Sequence, residues 1–143
     1  MASAPLISVV DDDDAVRQSL QRLITSVGLA VKVFASAEEF LNSEQLATTH
    51  CLILDVCMRR MNGFELQRQL VASHNEIPVI FITAHGDEGA RSRALRGGAL
   101  DYLLKPFSEE ALLEAIQAAL NAKRSVTKDK QSSEGIMVTS SET

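Results

Sequence analysis

No stretch of this 143-residue chain approaches the roughly 20 consecutive apolar residues of a membrane-spanning helix, so a helical membrane protein is not expected. Basic residues are in the minority. The 14 Lys and Arg are outnumbered by 19 Asp and Glu, the net charge is −5, and no basic stripe stands out. The electrostatic footprint of a nucleic-acid binder is therefore missing, and these residues are not expected to contact DNA directly. Cysteine occurs only as Cys51 and Cys57, a spacing that suits neither a disulfide framework nor a zinc site, so two free thiols in a reducing compartment are expected. The N-terminus has no basic segment, and its first apolar run, Leu6 to Val10, stops against four aspartates. A secretory signal is not expected, and a cytoplasmic location is.

The length suits one domain that buries about two thirds of its unfolded surface. Four short apolar runs end in polar groups: Ile7 to Val10 in Asp11 to Asp14, Cys51 to Leu54 in Asp55, Val79 to Ile82 in Thr83, and Tyr102 to Leu104 in Lys105. Another strand is expected around Val31 and Val33. Between the runs, apolar residues recur at helical spacing. Val16, Leu20, Leu23, Ile24 and Val27 predict a helix capped by Asp13 or Asp14 and stopped by Gly28, and Ser36 to Glu39 reads as a capping box. A loop at Met61 to Gly63 precedes a helix with Phe64, Leu66 and Leu70, and a polar helix over Gly89 to Arg96 stops at Gly97 and Gly98. Ser108 opens a last helix with Leu112, Leu113, Ile116, Ala119 and Leu120 on one face. The alternation predicts an α/β fold, a five-stranded parallel sheet with helices on both faces and right-handed crossovers. The domain is expected over residues 1–122. From 123 to 143 the composition turns polar, apart from Ile136, Met137 and Val138, and reads as a flexible tail or linker stub.

In such a sheet the carboxyl ends of the strands lie along one edge, where ligands bind. Three carboxylates, a hydroxyl and an ammonium would converge there. Clustered carboxylates repel one another unless a cation sits among them, and Mg²⁺ is typically held by carboxylates, waters and phosphate oxygens. The set suits metal-assisted phosphoryl transfer, with Asp55 as nucleophile, Asp11 and Asp12 as metal seat, and Lys105 and Thr83 as oxygen binders.

Five blocks in order carry a resemblance: Val9 to Asp13, Leu54 to Met58, Met61 to Leu66, Phe81 to Gly86, and Gly98 to Phe107. Over about residues 5–122 the chain resembles a response-regulator receiver domain of two-component signalling, and is similar to receivers of FixJ/NarL-like transcriptional regulators. The resemblance implies the flavodoxin-like (βα)5 receiver fold and a phosphoryl group passed to Asp55 from a sensor histidine kinase. It also implies Mg²⁺ on Asp11, Asp12, Asp55 and the backbone carbonyl of Cys57. Lys105 would pair with the phosphoryl oxygens, and Thr83 would move to bond one of them. Ala84 follows Thr83 in the same block. Tyr102, the only tyrosine, would then turn inward and reshape the face that signals to an output domain, a partner protein or a second copy. The Lys105–Pro106 bond resembles the family's cis peptide. Two arginines, Arg59 and Arg60, depart from the pattern, the first standing where the family's usual proline would be. Regulators of this type usually carry a helix-turn-helix domain after the receiver, which the tail is too short to hold, so a stand-alone receiver and a piece of a longer regulator both stay open.

Blander readings accompany these. Asp13 and Asp14 suit a solvated helix N-terminus, Tyr102 suits plain packing, and His85 suits an ordinary loop. Arg91, Arg93 and Arg96 suit a solvated helix face. Two other functions compete. One is a Mg²⁺-dependent phosphohydrolase of haloacid-dehalogenase type with Asp11 as nucleophile and Asp13 as acid-base, against which Ala15 stands where that family prefers threonine or valine. The other is a degenerate receiver that binds partners without phosphorylation.

Overall fold

A computed structural model of the chain describes residues 4–136, with side-chain surroundings given through residue 122. Its strands are β1 (Leu6–Val10), β2 (Ala30–Phe34), β3 (Cys51–Asp55), β4 (Val79–Thr83) and β5 (Asp101–Leu104). The helices are α1 (Asp14–Ser26), α2 (Ala37–Leu41), α3 (Gly63–Ala72), α4 (Glu88–Arg96) and α5 (Glu109–Ile136), with a 3₁₀ turn at Glu44–Ala47. All strand pairs are parallel, in the order β2-β1-β3-β4-β5. The order reverses between β1 and β3, which makes their carboxyl ends the topological switch point.

Register explains the two cores. Val10, Leu54, Phe81 and Tyr102 stand abreast on one face, where α2, α3 and α4 cover them through Phe40, Phe64, Leu66, Leu70 and Ala94. Val9, Ile53 and Ile80 stand abreast on the other, against Leu20 and Ile24 of α1 and Leu112, Ile116 and Ala119 of α5. Strands β3 and β4 are buried along their whole length, so they read as continuous apolar runs.

Helix starts follow their caps. The Asp13 carboxylate accepts from the N–H groups of Ala15 and Val16, and Ser36 accepts from Glu39. The reciprocal arm expected at Ser36 lands one residue earlier, with the Ala35 N–H donating to Glu39 at 3.2 Å. A complete capping box forms instead between Asn62 and Glu65, inside what the sequence suggests is a loop followed by a helix. At the far end, the backbone of α5 continues past the composition change at residue 122 as far as Ile136. Residues 137–143 of the expected tail lie outside the described residues.

Candidate functional site

Asp11 is the first residue past β1 and is fully buried. One carboxylate oxygen accepts the Asp13 N–H at 2.8 Å and the other accepts Lys105 Nζ at 2.9 Å. Lys105 leaves the end of β5, and its backbone N–H donates to the Thr83 carbonyl at 2.8 Å. Its ammonium also lies 3.8 Å from Asp55 Oδ1. The side-chain oxygens of Asp11, Asp12 and Asp55 come within 4.8 Å of one another. The convergence expected from four strand ends is thus present for the carboxylates and the lysine.

Electrostatics distinguish the members. Asp55 is only 4% exposed, and burial, helped by the neighbouring Asp11 charge, pushes its carboxyl up to about 7 against the downward pull of Lys105. Burial alone would lower Lys105, but the bond to Asp11 and the charges of Asp11, Asp55 and Asp13 raise it on balance. One ammonium is shared by two buried carboxylates, so the cluster carries more negative charge than its own cation offsets. A hard divalent cation with oxygen ligands fits such a donor set.

Around this centre, Asp12 is exposed and its Oδ2 accepts the Arg59 N–H at 3.3 Å, while the Cys57 N–H donates to Asp55 Oδ1 at 3.4 Å. Thr83 is fully buried; its hydroxyl accepts the His85 N–H at 3.2 Å and lies 4.0 Å from the Cys57 thiol. Cys57, Ala84 and Pro106 are exposed, and the Lys105–Pro106 peptide is cis. Tyr102 is 4% exposed, and its ring belongs to the core under α3 and α4. The ring therefore lies inward, packed against the sheet and the helices that cover it. Its hydroxyl is buried with no hydrogen-bond partner among the described residues. Gly86 makes room for it, because a Cβ there would lie 2.7 Å from that hydroxyl and would also meet Leu104 Cδ2.

Two supporting residues went unread in the sequence. Arg17 reaches back from α1 to donate to the Asp11 carbonyl at 2.8 Å while pairing with Asp14 at 3.0 Å. Gly63 starts α3 so close to the site that a Cβ would lie 2.5 Å from the Asp55 carbonyl oxygen. The second was legible in outline, since Asn62 and Glu65 flank it with capping-box spacing. The first had no sequence signal beyond a helix-face arginine.

Comparison with known proteins places this geometry. The family model for the response regulator receiver domain matches residues 7–117. The chain belongs to that family. The receiver domain is similar to TodT, a response regulator protein of Pseudomonas putida, at 48% identity over 117 residues, which are 82% of this chain and 52% of TodT. It is similar in structure to the response regulator StyR, with a TM-score of 0.80 and 44% identity over 90% of this chain and 66% of that one. The crystal structure of FixJ-N gives a TM-score of 0.75 and 37% identity over 84% and 96%. The chain spans about half the length of the curated relatives it matches. These findings bear out the five-stranded receiver fold and the place in two-component signalling. Membership of the receiver family also sets aside the phosphohydrolase alternative with Asp11 as nucleophile. Among the described residues no helix is long and apolar enough to cross a membrane.

Proposed function

We propose that Asp55 is the phosphoacceptor of this receiver and takes its phosphoryl group from a phosphohistidine on a sensor histidine kinase. The observation that carries the reading is the single ammonium of Lys105 held between Asp11 at 2.9 Å and Asp55 at 3.8 Å. In this reading the carboxylates of Asp11, Asp12 and Asp55 and the carbonyl of Cys57 hold Mg²⁺. When bound, the metal supplies neutralisation of the charge that develops on the phosphoryl oxygens. Asp55 attacks in line, the bond from phosphorus to the donor's histidine nitrogen breaks, Lys105 shifts its pairing toward the phosphoryl oxygens, and the Thr83 O–H turns to donate to one of them. Pre-placed donors in a largely enclosed site are effective because water screens them less. The chemistry is self-catalysed transfer and later hydrolysis, serving a switch, not turnover of a metabolite.

The signal would leave through Tyr102 and the α4–β5 surface, where Leu95, Leu100 and Leu104 are 39%, 39% and 53% exposed. Phosphorylation would favour the state with Tyr102 inward and so favour partner binding, by an output domain or a second copy. The receiver unit would end near residue 122, just past Ala119 and Leu120, the last side chains packed on the core among the described residues. Its place would be the cytoplasm, with no direct contact to nucleic acid.

The test is intact mass after incubation with acetyl phosphate and Mg²⁺. Wild type should gain one phosphoryl group, and Asp55→Asn or a chelator should abolish the gain. A wild type that binds partners but never gains mass, even from a kinase, would make the chain a degenerate receiver.

A further inference from the structure

A cavity of about 390 Å³ opens beside the acidic centre and shares Asp12 with it. Arg17, Arg59 and Arg60 lie on its wall, together with Ser36 and Glu39. Arg17 is committed to Asp14 and to the Asp11 carbonyl. Glu39 accepts from Ala35, and Asp12 accepts from the Arg59 backbone. Arg59 and Arg60 are different. Both are exposed, and neither side chain has a hydrogen bond or ion pair among the described residues. Arg60 also holds a φ of 60°, an uncommon conformation for a residue with a long unbranched side chain.

Two unpaired guanidiniums in a chain of net charge −5 have many carboxylates they could have met, yet they stand at the edge of the phosphoacceptor centre. A guanidinium presents a planar fork that matches a carboxylate with two parallel hydrogen bonds. The cavity is larger than a phosphoryl group requires, and it adjoins the place where one would arrive. We propose that this cavity is an anion subsite that takes a carboxylate on the phosphodonor, next to the group being transferred, with Arg59 and Arg60 as its specificity-determining residues. The subsite rests on the reading of Asp55 as acceptor. It contributes to donor affinity and makes the receiver select donors by a second charge. The carboxylate belongs either to a kinase side chain beside its phosphohistidine or to the body of a small acyl phosphate.

The experiment compares paired donors on the wild type and on Arg59→Ala/Arg60→Asn, with asparagine chosen because it tolerates a positive φ. Acetyl phosphate is paired with succinyl phosphate, and a phosphohistidine peptide is paired with the same peptide carrying a flanking glutamate. In the wild type the half-saturating concentration should be about tenfold lower for the carboxylate-bearing member of at least one pair, the size of one charge-assisted bond. The double variant should lose that ratio and Arg59→Lys/Arg60→Lys should regain part of it. The pair that responds names the source of the carboxylate. Equal half-saturation within both pairs would overturn the proposal. Titration of succinate followed by arginine NMR signals reads the subsite without phosphorylation: saturation seen only in the wild type supports it, and no saturation overturns it. A failure of Asp55 as acceptor would instead appear as absent phosphorylation from every donor.

Discussion

Cys51 and Cys57 show how far neighbours in sequence can diverge in chemistry. Cys51 lies inside β3, where burial pushes its thiol up to about 12, so the thiolate is scarce at any pH the fold tolerates. Cys57 is exposed at the mouth of the site. Iodoacetamide at pH 8 should therefore add one group to the native protein, on Cys57, and two after denaturation, as mass spectrometry would count. Gly63 is a second residue with a definite expectation. A methyl group there would press on the Asp55 carbonyl and on Phe81, and backbone cannot yield as a flexible side chain can. Gly63→Ala should lose about 1–3 kcal/mol in urea unfolding, with weaker phosphorylation because Asp55 is displaced.

At the level of elements, the site is a set of strand ends, and this is why much of it was legible. Strands buried on both faces read as apolar runs, and parallel pairing brings their carboxyl ends to one edge, so the sequence alone places Asp11, Asp55, Thr83 and Lys105 there. What lies beyond the strand ends was not legible. The 3₁₀ turn at Glu44–Ala47 is too short to show a period, though Leu46 packs on the core. The capping box appeared at Asn62, and the one expected at Ser36 closed on Ala35, because caps depend on how the chain enters a helix. The reach of Arg17 to Asp11 depends on the rotation of α1 about its axis. Helix α4 is tied to its surroundings by few groups: Ala94 is its only buried residue, Arg91 donates to the Tyr102 carbonyl of β5 at 3.2 Å, and Arg93 stacks 4.3 Å over the Phe64 ring of α3. The loop before it is therefore where Tyr102 can be displaced. Gly86→Ala should drive the ring outward, so that tetranitromethane nitrates Tyr102 in the variant and leaves it unmodified in the wild type.

For the whole molecule, Asp55 links stability to pH. Its carboxyl sits at about 7 when folded against an ordinary value of 3.8. Between those values the native state binds more protons than the unfolded state, so stability falls as pH rises. The metal-free protein should lose thermal stability from about pH 4 up to about pH 7 and then level off for this group. Mg²⁺, which requires the deprotonated carboxylates, should stabilise progressively more over the same range. Melting curves in chelator and in Mg²⁺ across that range would check both signs. A Mg²⁺ effect independent of pH would mean that Asp55 is not among the ligands.

The buried Tyr102 has one more consequence. The chain contains no tryptophan and no second tyrosine, so its near-ultraviolet circular dichroism and its intrinsic fluorescence above the phenylalanine range come from a single ring whose hydroxyl lies against Gly86. The protein carries a built-in optical reporter of one position. On the proposed switch through Tyr102, receiver activation should be visible to light without a label, with its kinetics read in stopped flow on the unmodified molecule.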